Sequence, residues 1–191
     1  MTSFYSPEEL ADLGLKEYGK DVLISRKASL YDTGNIRLGD HVRIDDFCLL
    51  SGHIRVGNYV HIAAGTMLFA GSEGITIGDY CGISSRCCIY AKTDDFSGEA
   101  LGNPTMPEKY THVTGARVDI GPFAQLGVGC VLLPGAVIAE GCSLGPMALV
   151  SRETEPWGMY YGNPARRMGQ RSQKLTELAR ALEAEEAEKN E

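Results

Sequence analysis

The sequence predicts an all-β fold, a parallel solenoid of stacked three-sided coils. Three observations carry the expectation. Aliphatic anchors recur at intervals of six, as in Ile120, Leu126, Leu132, Ile138, Leu144 and Val150. The position four after each anchor is small, as in Ala124, Cys130, Ala136, Cys142 and Ala148. Glycine follows many anchors directly (Gly39, Gly57, Gly78, Gly121, Gly127, Gly145). A period of six fits neither the helix, at about 3.6, nor the amphipathic strand, at about 2. Three hexads make a triangular turn of about 18 residues, each hexad one short strand and one corner. The anchor fills the interior, and the residue four later turns inward where the corner narrows. Successive turns stack at about 4.8 Å, and each buries its face only against its neighbours.

The elements follow in order. Residues 1–21 form an N-terminal helical cap: in "SPEELADLG", Ser6 is the N-cap, Pro7 the first helical residue, Glu9 the capping-box partner and Gly14 the stop. Ile24 and Leu30 begin a partial coil. Complete coils start at Leu38, Ile44 and Leu50, then at Val56, Ile62 and Leu68. After a three-residue slip the frame continues at Ile77, Ile83 and Ile89, and it resumes at Ile120. The solenoid domain therefore spans 22–156, with a long loop at 92–119. Residues 157–191 form a C-terminal segment and a helix striped with Leu175, Leu178, Ala179 and Leu182. The acidic end of that helix is expected to be a solvated tail.

Composition narrows the function. The chain has 191 residues and a net charge of −7, much of it in the terminal "EAEEAEKNE". No basic run advertises nucleic acid. No apolar stretch is long enough to span a membrane, and the N-terminus lacks the pattern of a signal peptide, so a cytoplasmic location is expected. Five of the six cysteines (Cys48, Cys81, Cys87, Cys130, Cys142) occupy the small inward position; only Cys88 does not. They are read as small hydrophobes rather than ligands, and no metal is expected because no C-x-x-C pair exists.

The repeats "VGNYVHIAAGTM", "IGDYCGISSRCC" and "LPGAVIAEGCSLGPMALVSRE", followed by "PWGMYYGNPARRM", resemble the hexapeptide-repeat acyltransferases, particularly sugar acetyltransferases of the galactoside and maltose type. The similarity covers roughly residues 22–170. It implies a left-handed parallel β-helix, acetyl-CoA as acyl donor, and a homotrimer with active sites between subunits. It also implies a sugar or nucleotide-sugar acceptor in bacterial surface polysaccharide synthesis. Acetyl transfer to a hydroxyl or to an amine both remain open. A non-catalytic trimeric scaffold is the alternative. A zinc carbonic anhydrase on the same prism needs two closely spaced histidines, which His41, His53, His61 and His112 do not supply.

Candidate site residues divide into two groups. In galactoside-type relatives the long loop carries a histidine base, and here Asp95 stands at that position with Asp94 before it. Such a carboxylate acts as a base only if burial or a neighbour raises its pKa; otherwise it anchors the loop as an Asx turn. His61, directly before anchor Ile62, faces outward and is the side chain suited to take an acceptor proton near neutral pH. By position it matches a residue lining the acceptor pocket of relatives. For the cofactor, the resemblance places Gly127 and Gly145 beside the pantetheine arm, Ser151 and Arg152 at the adenosine diphosphate end, and Arg166 near the 3′-phosphate. Gly169 stands where relatives carry a second cation, with Arg167 or Arg171 as substitutes.

Overall fold

The anchors of the hexad frame are the core. Ile24, Ile44, Leu50, Ile62, Leu68, Ile77, Ile83, Ile89, Ile120, Leu126, Leu132 and Ile138 are all buried, in one continuous cluster. The computed structural model describes residues 3–189 and builds this cluster as the interior of a three-sided prism. On the first face, Leu23–Ile24, Arg43–Ile44, His61–Ile62, Gly82–Ile83, Gln125–Leu126, Ser143–Leu144 and Gly158–Tyr161 stack in parallel register. The second face stacks Ser29–Tyr31, the starts of Leu49–Val56 and Met67–Ile77, Cys88–Tyr90, Val131–Leu132 and Leu149–Val150. Glu17–Tyr18, Ile36–Leu38, the ends of the two long strands, Val118–Ile120 and Val137–Ile138 make the third.

The three-residue slip has a local cause. Leu49–Val56 and Met67–Ile77 run without a break around the corner between the second and third faces, with register shifts at Gly52. Gly71 and Gly74, both at positive φ, absorb the extra residues.

A different corner, between the third and first faces, carries an aromatic ladder. His41, Tyr59, Tyr80 and Phe123 occupy one position of successive coils and Trp157 the same position two coils beyond Phe123, all with φ between 55° and 61°. Left-handed backbone at such residues costs about 1–3 kcal/mol each. Ring stacking offsets part of it, at about 0.5–1.5 kcal/mol per pair, with centroids 4.5, 5.1, 5.1 and 6.2 Å apart along the row. Gly141 holds the rung before Trp157, and a Cβ there would lie 2.3 Å from the indole. Trp157 fills that gap.

The inward cysteines are free thiols, and each donates to a carbonyl one coil on. Cys48 reaches Ala63 O, Cys81 Gly121 O, Cys87 Gly127 O and Cys130 Gly145 O at 3.2 Å, and Cys142 reaches Glu155 O at 2.9 Å. Thr66 repeats the pattern with Ser84 O at 3.1 Å. Burial pushes the Cys81 thiol up to about 12, so it stays a protonated donor. Cys130→Ala loses one weak bond and a sulfur's contacts, and is expected to lower stability by on the order of 1 kcal/mol with near-wild-type turnover. Release of bound zinc from that variant, read by elemental analysis, would contradict this assignment.

Both termini fold back on the prism. Helix α1, Pro7–Asp12, starts with the expected Ser6–Glu9 capping box and is followed by Gly14 at φ +67°. Glu9 also grips Arg26, which with the Ser6 amide holds its carboxyl down to about 2. Helix α2, Lys174–Lys189, departs from the solvated tail that its charge suggests. It lies along the aromatic ladder, where Glu183 accepts from Tyr80 Oη at 2.7 Å and Glu186 accepts from Tyr59 Oη. The acidic residues meet hydroxyls from distant coils, partners that local charge composition cannot reveal.

The Glu186 hydrogen bond pushes the Tyr59 phenol up to about 12. A folded-state value above the unfolded one, about 10, means the contact contributes fully below pH ~10 and is lost as pH rises through ~12. Tyrosinate absorbance and helical circular dichroism should therefore change together in that window. Loss of helix at lower pH, before tyrosinate forms, would contradict this.

Candidate active site

His61 sits on the first face, in register with Arg43 on one side and Gly82 on the other. Its Nε2 lies 2.8 Å from Asp45 Oδ2, and Asp45 also accepts from Arg43 Nε at 2.7 Å. Burial works to raise the Asp45 carboxyl, but the hydrogen bonds from Arg43 and His61 outweigh it and leave it below the ordinary range. An ionised Asp45 only accepts, so Nε2 donates to it and Nδ1 is the nitrogen left for a substrate. Ile44 stacks on Ile62, which places Asp45 diagonally across from His61. That relation was available in the hexad frame, yet the sequence reading did not draw on it.

The loop separates its two carboxylates. Lys92–Thr93 pairs antiparallel with Thr114–Gly115 at the loop's root. Asp95 accepts from Ser97 Oγ at 2.7 Å and from the amides of Ser97, Gly98, Glu99 and Ala100 at 3.1–3.2 Å. The Ser97 bonds lead in holding it down to about 2. Asp95 has the loop-anchoring geometry, and a carboxyl so acidic is a poor base. Asp94 accepts a single amide, from Asn103 at 3.2 Å.

The expected cofactor residues fall in two places. Ser151, Arg152 and Arg166 line one cleft of about 130 Å³ at the C-terminal end of the prism, with Tyr160 and Pro164. Gly127 and Gly145 lie in the corner column that runs Ala63, Ser84, Gly127, Gly145 and Tyr161, one residue beyond the first-face anchors. Coil packing itself demands glycine here: a Cβ on Gly145 would lie 2.0 Å from the Tyr161 ring. Their amides are engaged, Gly127 N–H with Leu144 O at 2.8 Å and Gly145 N–H with Tyr160 O at 2.7 Å. Neither amide is therefore left to donate to a ligand. Ser84, in the same column, was missed by the sequence reading. It is half-buried, and its hydroxyl makes no hydrogen bond among the described residues.

Neither substitute for the cation missing at Gly169 is free. Arg171 Nη1 donates to Phe123 O at 2.6 Å and Gly141 O at 3.0 Å, closing the coil beneath α2. Arg167 engages Gln170 and, at 3.5 Å, Glu155. No group of three metal-binding side chains occurs among the described residues, and no described helix is long and apolar enough to cross a membrane.

No family model matches the chain. Individual proteins do. The chain is 39% identical over 173 residues to the Escherichia coli dTDP-4-amino-4,6-dideoxy-D-glucose acyltransferase, covering 89% of this chain and 90% of that one. It is 28% identical over 141 residues to the putative lipopolysaccharide biosynthesis O-acetyl transferase WbbJ of Escherichia coli, 69% of this chain and 67% of the relative. Among solved structures, AntD, an N-acyltransferase from Bacillus cereus in complex with dTDP and 3-hydroxybutyryl-CoA, superposes with a TM-score of 0.96. Its identity is 43%, over 98% of this chain and 100% of that one. Further AntD structures carry D94A or S84A changes, with Coenzyme A and dTDP or dTDP-4-amino-4,6-dideoxyglucose. Parallel coils of hexads, glycine-lined corners and near full-length identity of this order agree: the chain belongs to the hexapeptide-repeat sugar acyltransferases, enzymes that take their acyl group from an acyl-coenzyme A thioester.

Proposed function

We propose that the protein transfers an acyl group from an acyl-CoA to the amino group of a dTDP-linked amino sugar, in the cytoplasm, for surface polysaccharide synthesis. The observation that carries the reading is the corner column Ser84–Gly127–Gly145, a strip of small residues that ends at Tyr161, the strand partner of Arg166. A pantetheine arm fits along the strip, and guanidiniums suit the phosphates at its end. The AntD changes at D94 and S84 coincide in number with Asp94 and Ser84 here, across chains that match over 97% of this one. This supports an acceptor pocket between that corner and the loop.

The amine attacks the thioester carbonyl, and the tetrahedral intermediate collapses with loss of the CoA thiolate. In this reading the Ser84 hydroxyl donates to the developing oxyanion. His61 Nδ1 takes the proton shed by the amine and returns it to sulfur, giving amide and free thiol. Asp45 holds the ring in that tautomer.

The reading includes the homotrimer that the resemblance implies. The outward row of the second face is apolar: Leu49, Met67, Cys88, Val131 and Leu149. The loop adds an exposed Phe96, with Leu101 and Tyr110. A second prism against this face gives the cleft its other wall.

Thiol release from acetyl-CoA and 3-hydroxybutyryl-CoA, measured with dTDP-4-amino-4,6-dideoxyglucose and with a panel of glycosides, tests the function. No release with any amino sugar, or activity in a 20.6 kDa monomer by light scattering, would overturn it. No heat on titrating CoA would instead identify a scaffold. Arg166→Ala is expected to raise the KM for acyl-CoA about tenfold with kcat nearly unchanged, because a contact remote from the thioester binds ground and transition states alike. An unchanged KM would remove Arg166 from the site.

A further inference from the structure

The third face carries a cationic hollow that acyl transfer, as described, leaves unused. Its outward row reads Glu17, Arg37, Arg55, Thr76 and Asp119 on in-register parallel strands. Adjacent rungs lie about 4.8 Å apart, so Arg37 and Arg55 are direct neighbours and repel unless an anion offsets them. Both ends of the row are matched. Glu17 accepts from Arg37 at 2.7 Å, and Arg117 donates to Asp119 at 2.7 Å and to Thr76 Oγ1 at 2.6 Å. The side chain of Arg55, between them, makes no hydrogen bond or ion pair among the described residues, and neither does that of Lys16 at the rim. The hollow, about 420 Å³, is lined by Lys16, Arg37, His53, Arg55 and Arg117, with one acid, Glu73. Lys92 stands 3.3 Å from that acid. In a chain of net charge −7, Arg55 is left as the guanidinium of this hollow whose charge no side chain offsets.

We propose that this hollow binds the diphosphate of the nucleotide-linked acceptor, an inference that rests on the nucleotide-sugar reading above. Several guanidiniums spaced along one strand row suit an extended polyanion better than a single carboxylate, and planar forks match phosphate oxygens. Asn35 and Thr76 supply neutral polar groups in the same wall. The place also suits the chemistry, because Arg117 lies two residues after the loop root that Thr114–Gly115 forms with Lys92–Thr93. That is the loop that carries Asp94. The other source of diphosphate in the reaction is CoA, whose phosphates have their own cations at the C-terminal cleft.

The test is titration of dTDP and, separately, of CoA into the wild type, Arg55→Ala, Arg55→Gln and the Arg37→Ala/Arg55→Ala double variant. Both arginines are exposed, so thermal midpoints should hold. Losing one charge-assisted contact should weaken dTDP about tenfold, and the double change about a hundredfold, with CoA affinity unaltered. Inorganic pyrophosphate should compete with dTDP on the wild type. Unchanged dTDP affinity in the double variant overturns the proposal, and so does a loss of CoA affinity in its place. A wild type that ignores dTDP yet acylates a free amino sugar overturns the nucleotide reading itself, a distinguishable result.

Discussion

Replacing His61 by alanine is expected to lower kcat by about 10²–10⁴ while leaving CoA affinity nearly intact, the signature of a lost general base. The case rests on geometry. His61 is outward-facing, in register with Gly82, which directly precedes the Ile83–Ser84 step of the corner column. Its Nε2 is held at 2.8 Å by an ionised Asp45. Asp45→Asn should act through the ring, lowering kcat less than the histidine change and altering the pH–rate profile, because an amide can stabilise the wrong tautomer. The competing outcome is that Asp94→Asn cripples the enzyme and His61→Ala is mild. That would assign proton transfer to the loop. If the two act as one unit, each single variant should cost about as much as the double. Full activity of His61→Ala at every pH would end the proposal.

The largest effect on stability is expected at Trp157. Its indole is 8% exposed, fills the space above Gly141 and ends the aromatic ladder against Phe123. Its carbonyl accepts the Arg171 amide at 2.7 Å, just before α2. Trp157→Ala leaves a cavity in the last coil, at about 3–5 kcal/mol. The same change frees the chain that positions Arg171 on the carbonyls of Phe123 and Gly141. Denaturant unfolding should show the loss, with α2 released first in hydrogen exchange. A midpoint within error of wild type would mean that the ladder does not hold the C-terminal coil.

The period of six made most of the fold legible, because interior space in a three-sided coil fixes which positions are aliphatic and which are small. The ladder obeys the same rule: His41, Tyr59, Tyr80 and Phe123 each stand three after a third-face anchor. It went unread because these residues face outward, where the frame makes no demand. The site was less legible. Ser151, Arg152 and Arg166 came from resemblance, and the structure does bring them to one cleft. The division of labour between Asp94 and Asp95 depends on where five donors of a loop point, which spacing does not encode. Arg171 looked like a spare cation, yet its charge is absorbed by backbone carbonyls from two coils.

A stack of identical rungs has no intrinsic length, and each terminal rung presents open backbone groups to any similar edge. Here both ends of the first face are closed by chain running the opposite way. The Phe4–Ser25 bridge is antiparallel at one end, and Arg166–Gln170 returns antiparallel along Gly158–Tyr161 at the other. Reversal of direction breaks the repeat, so a second molecule cannot continue it in register. These two short segments close the first face at both ends, and trimming the chain after Tyr161 is expected to reopen one of them to head-to-tail association.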